Sequence, residues 1–304
     1  MKKLLLFAAT IAVLFAGCSK GSGSDEPTPT PPDPPVEPTK IPINVSTGVW
    51  TRATDAGFEA GDKTGIYVVN YNGSAAGALA TSGNHVSNMR FTLTGSTWNP
   101  ETPIYWKDQT TKADFYCYYP YASTITNIGA YAFSVKTDQS AEADYKASDF
   151  LWGKTAGIAP TADPVQITVK HAMSNLLIYL KAGEGYTEAT LKAAIKNIAV
   201  CNTKNNATID LATGVATATG NVADVTPKAE EGYYRALIVP QTVSDAVLVK
   251  VTIGDDSYTL KQSQTFEANK QHKCTLTVDR TGNGINIGIG GWETDDNDFG
   301  GTVE

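Results

Sequence analysis

The chain has 304 residues, and its 24 basic and 31 acidic residues give a formal net charge of −7. This acidic balance argues against nucleic acid as a partner, because phosphate binding needs a concentrated basic surface. Only 3 histidines and 4 cysteines leave little material for a metal site or a histidine-centred active site. The composition therefore favours a β-rich binding or structural protein with about two domains, no enzymatic activity, no cofactor and no metal.

Residues 1–17 have the pattern of an export signal. Two lysines precede an apolar run from Leu4 to Ala16, which is too short to span a bilayer core of about 30 Å. Small residues before Cys18 resemble a bacterial lipobox, which predicts cleavage before Cys18 and its lipidation. Acyl chains on Cys18 would attach the protein to the outer membrane. The alternative is an ordinary signal peptide with a chance cysteine nearby.

The next segment, residues 18–40, is predicted to be a tether. It is rich in proline, and such chains extend by about 3 Å per residue, which gives a reach of about 60–70 Å. Further along, the loop-like residues 157–164 are the best candidate for a domain boundary. We therefore expect an N-terminal domain over 41–163 and a C-terminal domain over 164–304.

From residue 41 onward, short runs with the period of two that is typical of strands alternate with turn residues. The candidate strands are, in chain order, 41–45, 64–70, 91–93 paired with Trp98, 112–119, 132–135, 165–180 (one or two strands), 247–253 paired with 258–260, 274–278 and 285–289. Many short strands with turns between them predict an all-β fold of two β-sandwich domains.

One short helix is predicted in the second domain. Leu191, Ile195 and Ile198 have helical spacing, and Thr187 is a plausible N-cap. Position N3 is Thr190 rather than Glu, so we expect no capping box.

The remaining cysteines and histidines are predicted to be structural. Each cysteine lies in an apolar run, which indicates buried free thiols, with one disulfide as the alternative; they are Cys117, Cys201 and Cys274. The histidines are far apart in the sequence, so we expect packed or surface residues rather than ligands; they are His85, His171 and His272.

The aromatic run from Phe115 to Tyr121 allows a carbohydrate-binding interpretation. In a strand, Phe115, Cys117 and Tyr119 share one face, whereas Tyr116 and Tyr118 share the other. We expect at least one of these faces to be core. The alternative function is a monomeric surface glycan-binding lipoprotein that stacks sugars on the exposed aromatic rings.

Two segments at opposite ends of the globular part share a pattern of three β-branched residues on one face. The first holds Ile41, Ile43 and Val45, and the second holds Ile285, Ile287 and Ile289. Such a strand can complete a sheet edge and fill a row of pockets. Pro42 lacks an N–H group, which places the first segment at an edge.

Arg52 follows the first segment, in a connection that suits a trypsin-like protease. Cleavage after Arg52, before Ala53, would release the first strand and open a groove that an equivalent strand of another subunit could fill. Repeated head to tail, this contact does not close and builds a fibre. The alternative is that both segments are ordinary strands of their own domains.

A set of motifs resembles the fimbrillin-like family of lipoprotein pilins from Bacteroidetes-type bacteria. In order, the matching segments are 51–54 (TRAT), 58–67 (FEAGDKTGIY), 103–106 (PIYW), 114–120 (DFYCYYP), 148–152 (SDFLW), 169–174 (VKHAMS), 236–241 (ALIVPQ) and 289–292 (IGGW). The resemblance covers essentially everything after the tether.

The resemblance implies a two-domain, transthyretin-like β-sandwich pilin that polymerises by strand exchange on the cell surface. It implies lipidation of Cys18, trimming between Arg52 and Ala53 by an arginine-specific protease, and loss of the strand 41–49. The candidate donor strand is then the region from Ile285 to Trp292. The partners are other pilin subunits, the protease and a host or bacterial surface receptor. An uncleaved pilus anchor or a tip adhesin is the alternative role in the family.

Overall fold

A computed structural model of the protein describes residues 39–49, 57–281 and 284–298. Strands dominate these residues, which confirms the all-β expectation. The strands are β1 (Val45–Val49), β2 (Lys63–Asn70), β3 (Val86–Thr94), β4 (Thr97–Pro100), β5 (Ala113–Tyr119), β6 (Tyr131–Ser134), β7 (Leu151–Ile158), β8 (Val165–His171), β9 (Ser174–Ala182), β10 (Ile195–Ile209), β11 (Ala216–Val225), β12 (Lys228–Ala229), β13 (Tyr234–Ile238), β14 (Gln241–Ile253), β15 (Asp256–Phe266), β16 (Lys270–Thr281) and β17 (Gly284–Asp298). The helices are α1 (Glu142–Ala147) and α2 (Glu188–Ala194), with a 3-10 turn at Ile128–Ala130.

The strands form three sheets. Sheet A has the order β1-β8-β7-β5-β2-β3-β4. Sheet B has the order β11-β10-β14-β15, with β6 paired to β10, and sheet C has the order β12-β13-β9-β16-β17. Neighbouring strands are antiparallel except in two pairs, β1 with β8 and β9 with β16. Both β1 and β17 are therefore edge strands.

Each part of the fold has its own apolar core. Sheets B and C face each other across one core, in which Ile178 of β9 and Val251 of β14 are buried. Sheet A encloses a second core around Phe115. It curls so far that its two edge strands, β1 and β4, come into contact. This packing of sheet against sheet is the predicted β-sandwich architecture.

A third cluster joins sheet A to strands from later in the chain. It contains Tyr116 and Tyr118 from β5 together with Ile209 from β10 and Leu237 from β13. Strand β8 begins at Val165, beyond the expected domain boundary, and belongs to sheet A. The division at residues 163 and 164 stays a prediction.

The predicted hairpins are confirmed, but the predicted helix is shorter than expected. Gly95 and Gly254 each have a φ of 61° in the two-residue turns β3–β4 and β14–β15. Tight hairpin turns require a positive φ at this position, which glycine adopts readily. Helix α2 ends at Ala194, and Ile195 already begins β10. Helix α1 was not predicted.

The expectation that α2 has no capping box was wrong. The Thr190 N–H group donates to the Thr187 hydroxyl (3.2 Å), and the Thr187 N–H group donates to the Thr190 hydroxyl (2.9 Å). A threonine hydroxyl at N3 thus takes the role that a Glu carboxylate has in the usual motif.

Candidate functional site

The N-terminal segment 41–49 lies between two backbone walls. On one side the Ile43 N–H group donates to Ile104 O, and the Trp106 N–H group donates to Ile41 O, each at 2.9 Å. On the other side β1 runs parallel to β8, with Val45 opposite Val165 and Val49 opposite Val169. Residues 41–43 thus pair with 104–106 and residues 45–49 pair with β8, each more than 50 residues away. Strand β1 is at the edge of sheet A, as Pro42 predicted for this segment.

The side chains of this segment alternate between core and solvent. Ile43 and Val45 are 2% and 5% exposed, and Ile41 is half-buried against the same core. The core beneath them contains Ile104 and Trp106. Taking the segment away would therefore leave an apolar groove with unpaired backbone groups along both walls.

Two polar side chains of the segment have distinct environments. Asn44 is exposed, and its side-chain amide donates to Ala162 O at 3.1 Å. The hydroxyl oxygen of Thr47 is buried and has no hydrogen-bond partner among the described residues. An unpaired buried hydroxyl is unfavourable, so Thr47 fits its place in the groove less well than an apolar residue would.

The segment on the other side of the predicted cleavage site is firmly held. The Phe58 ring packs edge-on against Trp98 and Tyr119, with centroids 5.1 Å and 5.5 Å apart. The Lys146 ammonium lies 2.6 Å from a Glu59 carboxylate oxygen. Cys18, Arg52 and Ala53 themselves lie outside the described residues, and their predicted roles stay predictions.

The predicted donor strand lies in β17, at the edge of sheet C. Its backbone pairs antiparallel with β16, with Ile285 opposite Arg280, Ile287 opposite Val278, Ile289 opposite Leu276 and Trp292 opposite Cys274. The structure does not bring β17 next to β1, because the two strands belong to different sheets. Within one chain, therefore, the two similar segments occupy separate edges.

The aromatic run does not form an exposed platform. Strand β5 is buried on both faces, and Tyr118 is 1% exposed, with its hydroxyl donating to Asn88 Oδ1 at 2.6 Å. Burial raises the pKa of Tyr118 well above its usual value. The Tyr116 ring packs under the Lys154 ammonium at 4.8 Å. These buried aromatic rings are part of the core. The expectation that at least one face of the strand is core is confirmed for both faces.

The cysteines of the described residues are free and buried, which excludes the alternative of a disulfide between them. Burial raises the pKa of Cys117 and Cys274 to about 12 and that of Cys201 to about 11. These thiols stay protonated at neutral pH and are poor nucleophiles.

The three histidines do not come together. His171 is buried and lies 2.9 Å from the Asp149 carboxylate. His272 is buried against Phe266, and His85 is at the surface, 2.7 Å from Tyr105 O. Among residues 39–49, 57–281 and 284–298, no group of three or more acidic, histidine or cysteine residues could hold a metal ion.

Comparison with known proteins gives the family. The family model described as fimbrillin-like matches residues 51–292. The chain belongs to the fimbrillin-like family. This fimbrillin-like chain is 27% identical to "Putative fimbrium subunit Fim1C" of Bacteroides uniformis, over 96% of each chain. It is also 26% identical to "Putative fimbrium tip subunit Fim1C" of Bacteroides ovatus, over 58% of this chain and 35% of that protein.

Solved structures share the fold of this fimbrillin-like chain. A structure described as a putative cell adhesion protein from Bacteroides uniformis has a TM-score of 0.65 and 24% identity, covering 86% of this chain and 99% of that one. A second, from Bacteroides ovatus, has a TM-score of 0.65 and 19% identity, covering 84% and 98%. In the part of the chain that the structure describes, no helix is long and apolar enough to cross a membrane.

Sequence reasoning found the segment 41–49 but missed both walls of its groove. In the sequence the motif 103–106 indicates only the family resemblance, although it supplies the first wall. The hydrogen bond from Asn44 to Ala162 was also missed. Both contacts join residues far apart in the sequence, and the only available signal was the position of an asparagine within an otherwise apolar strand.

Proposed function

We propose that the chain is a structural and adhesive subunit of a cell-surface pilus. Its fimbrillin-like family is structural, and the relatives described as fimbrium subunits support this role. At the candidate site, apolar side chains are buried and the backbone forms strand-to-strand hydrogen bonds. Such a site suits association with another protein chain, and the partners are other pilin subunits.

The export and anchoring steps rest on the sequence. Cys18 follows the apolar run of residues 1–17 and is the proposed lipid site, with 18–40 as the tether to the outer membrane. Cys18 and the tether precede residues 41–49 in the sequence, and Arg52 follows them. A lipid on Cys18 would therefore hold the precursor at the membrane through the same segment that trimming removes.

The positions of the other arginines support Arg52 as the trimming site, because they all lie inside strands. Arg90, Arg235 and Arg280 lie inside strands β3, β13 and β16, where paired backbone is a poor protease substrate. Arg52 lies between β1 and β2 in the sequence, close before the anchored Phe58. Cleavage there would separate the groove-filling segment from a subunit that stays folded.

The observation that carries the proposal is that 41–49 completes sheet A as an edge strand with Ile43 and Val45 buried. Each such side chain contributes about 1.5–3 kcal/mol when fully buried. An emptied groove would therefore strongly favour any strand that restores this burial and the backbone pairing. A strand of the next subunit, from the region Ile285–Trp292, would do so and would extend the fibre by one subunit.

The test is trimming of purified full-length precursor with an arginine-specific protease. We expect ladders on non-boiled gels only after cleavage. Two controls isolate the steps: R52Q should prevent trimming and ladders, whereas I287D should be trimmed and stay folded but form no ladder. A sharp monomer band after complete trimming of the unchanged chain would refute the polymerising role.

A further inference from the structure

An eight-residue match links the groove-filling segment to β17. Residues 43–50 read INVSTGVW, and residues 285–292 read INIGIGGW. They are identical at four positions, and a fifth pairs valine with isoleucine; the identical pairs are Ile43 with Ile285, Asn44 with Asn286, Gly48 with Gly290, and Trp50 with Trp292. This alignment is shifted by two residues from the one that matches Ile285 to Ile41 on apolar spacing alone.

The structure shows what the matched asparagine does in the first segment. Asn44 donates its side-chain amide to Ala162 O, and its own carbonyl accepts the Val165 N–H group at 2.9 Å. With Asn286 at the place of Asn44, both contacts can be remade. Under the alignment on apolar spacing, Gly288 would stand there and could not replace the side-chain bond.

The buried hydroxyl of Thr47 favours the same alignment. The eight-residue match places Ile289 where Thr47 now stands, so an apolar group would take the place of an unpaired hydroxyl. The alignment on apolar spacing puts Gly291 there, which leaves that position unfilled. An added Cβ at Gly48 meets nothing within 4 Å, so the groove also accepts a side chain at this position.

We propose that β17 of a second copy fills the emptied groove in the register that puts Ile285 at the place of Ile43 and Ile289 at the place of Thr47. This inference rests on the proposed function and adds the register of the donor strand and the two contacts that specify that register. The Ala162 carbonyl selects an asparagine, and the position of Thr47 selects an apolar residue. The incoming strand satisfies both contacts, whereas the resident strand satisfies only the first.

Cysteine pairing tests the register. Gly48 lies opposite Thr168 and Ser46 lies opposite Gln166, and both β8 residues are exposed. The proposed register therefore puts Gly290 of the incoming strand opposite Thr168, whereas the alignment on apolar spacing puts it opposite Gln166. The three native thiols of the described residues are buried and do not compete.

The experiment mixes full-length precursors, one carrying G290C and the other carrying T168C, before trimming under mild oxidation. We expect a disulfide-linked dimer that forms only after trimming and disappears on reduction. The matched mixture of G290C with Q166C should give none. Cross-linking through Q166C instead, or ladders with neither cross-link, would overturn the register.

A peptide separates this inference from polymerisation itself. Peptide 284–292 carrying G290C is offered to trimmed T168C and Q166C subunits in which I287D blocks their own donor strand. Cross-linking to T168C alone supports the register even where subunits form no ladder, whereas cross-linking to Q166C or to neither overturns it. The change N286A in the peptide should weaken binding about two- to tenfold, since it removes one hydrogen bond.

Discussion

Phe58 packs edge-on against Trp98, with ring centroids 5.1 Å apart and the ring planes at 88°. This contact fixes the chain only six residues after Arg52. Phe58 also contacts Tyr119, and it is half-buried against the core of sheet A. The residue therefore anchors the end of the chain that trimming would create.

The change F58A should destabilise the trimmed subunit by about 2 kcal/mol, somewhat less than full burial of the ring would predict. Thermal unfolding of trimmed protein measures it. The control K146A removes partly exposed ion pairs with Glu59 and Glu142 and should cost less than about 1 kcal/mol. Equal effects of the two variants would contradict the anchoring role of the ring.

The change I43A should destabilise the precursor and leave the trimmed subunit unaffected. Ile43 is buried, and truncating such a side chain typically costs about 2–5 kcal/mol. The effect should vanish once the segment is gone, because Ile43 leaves with it. Chemical unfolding before and after trimming checks this, with I66A as a control that should destabilise both forms. An effect of I43A that persists after trimming would show that the segment remains in place.

The change T47V should strengthen the resident strand. Valine keeps the shape of threonine and removes the buried hydroxyl that has no partner among the described residues. We expect a gain of about 1 kcal/mol in precursor stability and slower loss of the cleaved segment. Retention of the N-terminal peptide after trimming, measured by mass spectrometry of the native protein, follows it. Faster loss would mean that the hydroxyl is favourable in the groove.

Local pattern predicted the elements whose structure depends on near neighbours. The alternation of Phe115 and Cys117 with Tyr116 and Tyr118 placed these residues on two faces, and neighbouring alternating runs predicted both hairpins. Pro42 predicted an edge strand because it cannot donate a hydrogen bond. These features follow from backbone geometry within a few residues.

Contacts between distant parts of the chain were beyond such reasoning. The pairing of β1 with β8 joins residues about 120 positions apart, and the sequence of neither strand indicates which strand it pairs with. Ile195 shows a second difficulty for prediction from sequence. Its helical spacing from Leu191 predicted that the helix includes it, but an apolar residue is equally suited to a strand, and Ile195 begins β10. Residues 41–49 pack on the core that the curled sheet A encloses. This arrangement depends on long-range contacts, which local strand propensity does not predict.

The stability of the subunit should fall below about pH 6.5 partly through His272. Burial lowers the pKa of this histidine, with Glu267 opposing the shift and Lys270 adding to it. The unfolded chain then binds a proton that the folded chain does not, so stability is present above the unfolded pKa and is lost as pH falls toward the folded one. The slope from one such group is at most about 1.4 kcal/mol per pH unit.

The change H272Q should flatten this part of the stability curve. The glutamine can still meet the Gln264 amide, which lies 3.2 Å from the His272 ring, but it does not titrate. Urea unfolding at several values between pH 5 and 8 gives both slopes, and H85Q serves as the control for loss of a surface histidine. Parallel curves for the unchanged chain and H272Q would contradict the assignment, since other groups would then carry the whole acid sensitivity.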